Sequence, residues 1–241
     1  MSSSYDERFP GNEIHPTAII DDGVSMGTGN RILPYTVIYG PTDIGNDNVL
    51  GPHTVIGTPG QDKHHVHDPS TKRVEIGDGN VIREFTAVQK PVYRDVTRLG
   101  NRVYLMQSVH IPHDANIGDD VVITPMVALA GVTAIQRGTN LGMGASVHQY
   151  STIGAFSMVA TGAAVVRDLR PFSLFIPGKS LKVNRQGIVR NGFSDAEEEI
   201  NAYVLEAVRP TSPTVLRLVE AYELARTTHP GRDPRPEVEP G

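Results

Sequence analysis

The 241-residue sequence contains no cysteine and no tryptophan, and aromatic residues make up only 6% of it. Without a thiol there is no disulfide framework, no thiolate metal site and no cysteine nucleophile, so any core is aliphatic. A cationic excess is also missing. With 22 Lys and Arg against 27 Asp and Glu, the net charge of −5 argues against holding nucleic acid by neutralising phosphates. No run of 18 apolar residues is present, and residues 1–10, with Asp6 and Glu7, lack the basic and apolar regions of a signal peptide. These absences predict a cytoplasmic protein with no membrane span and no nucleic-acid partner. Turn formers are plentiful: 24 Gly and 18 Pro favour many short turns over long helices.

An aliphatic residue recurs at every sixth position: Ile14, Ile20, Met26, Ile32, Ile38, Ile44, Leu50 and Ile56. The register resumes at Ile76, Ile82 and Val88, and again from Leu99 through Ile111, Ile117, Leu129, Ile135, Val147 and Val159 to Val165. A small residue stands four positions after many of these, as at Ala18, Thr36, Thr54, Ala115, Thr133 and Ala145, where it lets backbone turns approach a crowded interior. Gly often stands one position after, as at Gly27, Gly45, Gly51, Gly77, Gly100, Gly118, Gly142 and Gly154, and is expected there to supply positive φ for a bend. A period of six is neither helical nor a simple alternation, and it predicts a parallel β-helix.

The pattern resembles the hexapeptide-repeat family. That resemblance implies an all-β, left-handed parallel β-helix in which three hexapeptides close one 18-residue coil of a triangular prism. The prism is expected over residues 12–170, with loop insertions near 57–75 and 89–98. A connecting basic segment, 171–193, follows. Ser194-Asp195-Ala196-Glu197 reads as a capping box for a helix ended by Pro210, and Ser212-Pro213 starts a second helix, giving a small C-terminal α-helical segment over 194–227. The Pro-rich, charged tail 228–241 is expected to be disordered.

Coil arithmetic places the candidate chemistry. Hexapeptides starting at Ile111, Leu129 and Val147 are 18 residues apart, so His113, Gly131 and Gln149 occupy equivalent positions in successive coils, with Asp114 after His113 and His148 before Gln149. A His with Asp beside it and a glycine N–H one coil away suits proton abstraction from a hydroxyl or amine and stabilisation of a tetrahedral oxyanion. The plain alternative is a surface His bonded to a neighbouring coil.

The segments His110-Ile111-Pro112-His113-Asp114, Leu129-Ala130-Gly131 and Val147-His148-Gln149-Tyr150 resemble the UDP-N-acetylglucosamine O-acyltransferase family of lipid A synthesis. Ile14-His15-Pro16-Thr17-Ala18 and Arg190-Asn191-Gly192-Phe193-Ser194 extend the likeness to roughly residues 12–195. The resemblance implies catalytic roles for His113 as general base, Asp114 in support and the Gly131 amide as oxyanion donor. It implies substrate contacts from His110, His148 and Gln149, and a nucleotide site at Asn184, Gln186 and Arg190. It further implies an acyl groove at Thr161, a homotrimer, and acyl carrier protein or coenzyme A as phosphopantetheine donor, with no bound cofactor and no metal.

Departures from the family are specific. Val132 stands where the family has His, Gln186 where it has Glu, and Val88-Gln89-Lys90-Pro91 where it has H-R-G-T. They place the acceptor in question and leave the acyl-transfer core in place. Thr161 replaces the Gly of long-chain members, implying a shorter acyl chain. In the first insertion, Asp62 and Lys63 are candidate substrate contacts, and His64-His65-Val66-His67-Asp68 reads as a substrate loop or a metal site. Between Arg167 and Arg190, six basic residues face the single acid Asp168, a patch suited to phosphates. The competing readings are a zinc-dependent, carbonic-anhydrase-like protein of the same fold, with His110 and His113 as two ligands, and a non-enzymatic trimeric scaffold.

Overall fold

The computed structural model describes residues 7–64, 71–229 and 234–239. Three sheets form a prism, and strands that pair in parallel within a sheet are one full coil apart in sequence. The first face has ten strands, starting at Glu13–Ile14 and Arg31–Ile32; the second has eight, from Ile19–Ile20 to Ala164–Val165; the third has seven, from Val24–Met26 to Thr152–Ile153. Regular coils pair residues 18 apart, as Glu13 with Arg31 and Ile14 with Ile32. Each strand's aliphatic residue points inward: Ile38, Leu50, Ile82, Leu105, Ile111 and Ile123 are all fully buried. The small residues four positions later, including Thr36, Thr54, Ala115 and Thr133, are buried beside them. The expected columns are therefore the core.

Two segments leave the prism, between the strands Val55–Thr58 and Arg73–Ile76 and between Ala87–Gln89 and Val96–Leu99. The sheets close over both, because Ile44 pairs with Ile76 and Ile76 with Leu99 in unbroken register. Polar ladders help to hold that register. Asn12, Asn30, Asn48 and Asn80 stack coil upon coil, each side-chain oxygen accepting from the backbone amide of the next at 2.8 to 2.9 Å.

The turns differ from expectation in one respect. Of the glycines that follow the aliphatic column, only Gly51, at 100°, and Gly57, at 79°, have positive φ. The left-handed backbone falls two residues later and is carried mostly by other residues: Tyr35 (60°), Asp47 (56°), His53 (54°), Asp114 (62°) and Val132 (63°). Such backbone costs an L-residue free energy at each corner, offset here by burial of the aliphatic columns. The glycines answer a different need, close approach. A Cβ on Gly45 would stand 2.2 Å from an Asp78 carboxylate oxygen and 2.8 Å from the Gly77 carbonyl oxygen.

Beyond Val165 the first face gains Ser173–Phe175 in parallel and then Lys182–Val183 in antiparallel. The segment expected as a connector contains a short helix, α1 (Arg185–Arg190). The expected capping box does not form: Ser194–Ala196 make a 3-10 turn, and α2 (Glu197–Glu206) starts without a side-chain cap. Phe193 is anchored against Phe156 and Phe172, with ring centroids 5.5 and 5.1 Å apart, and the chain leaves that anchor as a tight turn. The acidic first turn, Glu197 to Glu199, favours the helix N-terminus instead. The helix ends at left-handed Ala207, before Pro210. Helix α3 (Pro213–Thr227) starts at Ser212-Pro213 as expected.

The tail corrects another expectation, because residues 234–239 are seated on the prism. The Asp168 amide donates to the Pro236 carbonyl and the Val238 amide to the Asp168 carbonyl, both at 2.9 Å. Glu237 pairs with Arg170 at 2.6 Å and with Arg226 at 3.0 Å, and accepts from the Tyr222 hydroxyl at 3.0 Å. A composition rich in Pro and charge is compatible with order when its one central carboxylate meets two partly buried guanidinium groups.

Candidate active site

The corner after the second face carries His113, Gly131 and Gln149 in successive coils, as the arithmetic requires. The Val132 amide donates to the His113 carbonyl at 3.0 Å, and the Tyr150 amide to the Gly131 carbonyl at 3.1 Å. His113 is 12% exposed, and its Nδ1 lies 2.7 Å from a carboxylate oxygen of fully buried Asp114. That contact makes Nδ1 the protonated nitrogen and leaves Nε2 with a free lone pair. The imidazole lies across Gly131: a Cβ there would stand 2.3 Å from Cε1 and 2.4 Å from Nε2 of His113. Among the described residues, the Gly131 amide donates no hydrogen bond.

Asp114 is held by the second insertion. Its carboxylate accepts from the amides of Val92, Tyr93 and Arg94, the last at 2.6 Å, while its own amide donates to Thr97 Oγ1 at 2.9 Å. Burial pushes this carboxyl up, but the bonds from His113 and those three amides outweigh it and hold the group below the usual carboxylate range. His110 lies close enough for its charge to be felt at His113; burial first, and then His113, lowers its pKa and favours neutral imidazole.

The first insertion crosses over this corner. A Cβ on Gly60 would stand 2.8 Å from the His113 Cβ, and the Gln61 amide donates to Gln89 Oε1 at 3.4 Å. Asp62 accepts from the Tyr93 hydroxyl, a bond that pushes the Tyr93 pKa up to about 12. The Tyr93 ring meets His113 edge-on at 5.8 Å. Lys63 follows, exposed. Gln89 and Lys90 are buried beneath the loop, and the Lys90 ammonium donates to the Gly40 carbonyl. His65 and His67 lie outside the described residues. Among the described residues, no three His, Asp or Glu side chains are placed to hold a metal ion, and none of them gives His110 and His113 a third ligand.

Behind Asp114 lies a residue that periodicity gave no reason to choose. Buried His229 accepts at Nδ1 from Arg94, at 3.5 Å, and its Nε2 meets Thr152 Oγ1 at 3.2 Å. Burial, and then Arg94 and Arg226, bring its pKa down to about 4. The unfolded chain, with an ordinary value of roughly 6.5, binds that proton more readily, so stability falls as pH drops from about 6.5 towards 4. His229→Gln is expected to flatten that slope in urea unfolding measured across the window. An unchanged slope would show that another group sets it.

The remaining candidates lie elsewhere in the chain. Exposed Thr161 sits at the corner after the first face. Asn184, Gln186 and Arg190 belong to α1 and its cap, which is tied to the corner after the third face because Asn184 Nδ2 donates to the Phe156 carbonyl at 2.8 Å. Asn184 Oδ1 also caps α1 by accepting from the Gly187 amide at 3.2 Å, so its side-chain amide already serves the fold. Gln186 and Arg190 are exposed one helical turn apart. The basic patch is smaller than the sequence suggests, since Arg170 is buried against Glu237 and Arg185 pairs with Glu197 at 3.3 Å.

Fold and repeat together define a hexapeptide-repeat protein of the left-handed parallel β-helix class. The bacterial transferase hexapeptide (six repeats) family model matches residues 23–58. Within the class, the chain is similar to acyl-[acyl-carrier-protein]–UDP-N-acetylglucosamine O-acyltransferases. It is 36% identical over 145 residues to that of Herminiimonas arsenicoxydans, covering 58% of this chain and 55% of the relative. It is 37% identical to that of Janthinobacterium sp. (strain Marseille) over the same length. The match thus spans about half the length of these curated relatives. Among solved structures, the UDP-N-acetylglucosamine acyltransferase of Francisella novicida superposes with a TM-score of 0.76 at 23% identity, over 95% of this chain and 93% of that one. The Arabidopsis enzyme does so with a TM-score of 0.71 at 24% identity, over 94% and 99%. These two establish the fold. The resemblance to this group of acyltransferases is borne out by the sequence relatives. Among the described residues, no helix is long and apolar enough to cross a membrane.

Proposed function

We propose that this chain transfers an acyl group from a thioester carrier to a hydroxyl or amine of a nucleotide sugar such as UDP-N-acetylglucosamine. One observation carries the reading: the Asp114-held imidazole of His113 lies across Gly131, whose amide donates no hydrogen bond among the described residues. His113 Nε2 takes the acceptor's proton as its oxygen or nitrogen bonds to the thioester carbon. The carbonyl oxygen becomes an oxyanion, stabilised by the Gly131 N–H. When the tetrahedral intermediate collapses, the C–S bond breaks and the thiol leaves with the proton returned by His113. Asp114 stays ionised, as its lowered pKa requires, and stabilises the imidazolium. No covalent enzyme intermediate is needed, and no cysteine is present to form one. The donor is acyl carrier protein or acyl-coenzyme A, and exposed Thr161 favours a short acyl chain.

A homotrimer completes this reading. His113, Thr161 and α1 belong to three different corners of one prism, so a substrate reaching all three must lie between prisms. The test incubates the protein with UDP-N-acetylglucosamine and acyl carrier proteins loaded with short to long chains, with mass spectrometric detection. An acylated nucleotide sugar is expected with short-chain donors. Absence of acyl product across nucleotide sugars, with both carrier-protein and coenzyme A donors, overturns the assignment.

A further inference from the structure

The seated tail delivers a cation to the candidate site. Arg235 is half-buried; its Nε donates to the Gln149 carbonyl at 3.2 Å and its Nη2 to His148 Nδ1 at 2.9 Å. A guanidinium can only donate, so His148 Nδ1 is the acceptor and the ring proton resides on Nε2. His148 Nδ1 also lies 3.3 Å from the Gln149 carbonyl, a contact this tautomer leaves without a proton to share. The corner therefore presents two outstanding donors, the His148 Nε2–H and the remaining N–H groups of Arg235.

Among the described residues, neither is balanced by an acid. Of the described tail carboxylates, Glu237 is taken by Arg170 and Arg226, and Glu239 is exposed and makes no ion pair among the described residues; Arg226 also binds Asp168 at 2.7 Å. Arg235 makes no ion pair among the described residues, although its carbonyl is fixed by Arg226 Nη2 at 2.8 Å. The Glu237 network thus anchors the segment and leaves Arg235 without an ion pair among the described residues. A half-buried guanidinium with spare donors, fixed beside the His148 imidazole, matches the geometry and charge of a phosphate oxyanion.

We propose that Arg235, with His148, binds the diphosphate of the nucleotide-sugar acceptor and makes the C-terminal tail part of the acceptor site. The inference rests on the acyl-transfer reading above. Spacing selects the acceptor over the donor. Gln149 stands two coils from His113, roughly 10 Å along the prism, a distance suited to a sugar with its reacting group at His113 and its diphosphate beyond. A phosphopantetheine arm places its phosphate much farther from the thioester.

Arg235→Gln and Arg235→Lys separate the outcomes. By calorimetry with uridine diphosphate as probe, Arg235→Gln is expected to weaken binding about tenfold, the equivalent of about 1.4 kcal/mol, and Arg235→Lys to restore part of it. In turnover, Arg235→Gln raises KM for UDP-N-acetylglucosamine by a similar factor, while KM for the acyl donor moves less than twofold. A merely structural role would not separate the two KM values or respond to Lys. Equal uridine diphosphate binding by wild type and Arg235→Gln overturns the inference, as does failure of the wild type to bind the probe. Weakening confined to phosphopantetheine also overturns it, by assigning the phosphate to the donor. Arg235-dependent uridine diphosphate binding without any acyl transfer leaves the inference standing and removes the acyltransferase reading instead.

Discussion

Replacing His113 with alanine is expected to lower acyl transfer by roughly 10²–10⁴-fold, the range typical of losing a positioned general base. The side chain is 12% exposed and lies on a corner, outside the aliphatic columns, so its removal opens little of the core. It does remove one of the bonds that hold Asp114 in its buried position. The three amides of Val92, Tyr93 and Arg94 remain, and they keep that carboxylate satisfied. Activity should therefore collapse while the thermal midpoint moves by only a few degrees, a combination read from single-turnover rates and calorimetric unfolding. Turnover within a factor of three of wild type would remove His113 from the mechanism.

Gly131→Ala should be nearly as damaging, about 10²-fold or more by loss of the positioned base, for a steric reason. Gly131 is not at positive φ, so its backbone accepts alanine without strain. Space is the difficulty, because the added methyl would meet Cε1 and Nε2 of His113 at 2.3 and 2.4 Å. The ring must rotate or lift, which breaks its bond to Asp114 or carries Nε2 away from the Gly131 amide. In this variant the bonded Nδ1 proton resonance of His113 should shift or vanish by NMR as kcat falls. An unchanged resonance with unchanged kcat would show that the close packing of ring on glycine has no catalytic role.

The fold was legible because it is periodic. The inward column from Ile14 to Val165 is a covalent record of the prism, and an 18-residue coil follows wherever that column runs unbroken. Stacking of His113, Gly131 and Gln149 was accessible for the same reason: residues one coil apart are neighbours by construction. The positive φ positions were misplaced because the sequence shows the small residue, not the steric demand behind it. At Gly45 that demand comes from Asp78 and Gly77 on the next coil.

What the sequence by itself determined is the repeating interior, the corner on which His113 stands and the absence of a thiol nucleophile. Tertiary structure alone decided what surrounds that corner. The Val92–Arg94 amides that cradle Asp114, the Tyr93–Asp62 contact across two insertions, the His229 support and the Arg235 approach to His148 all come from segments without periodicity. Their partners lie 20 to 135 residues away. No spacing rule links such segments; only the closing of the sheets over both insertions, and the Glu237 ion pairs that hold the tail, bring them to one place.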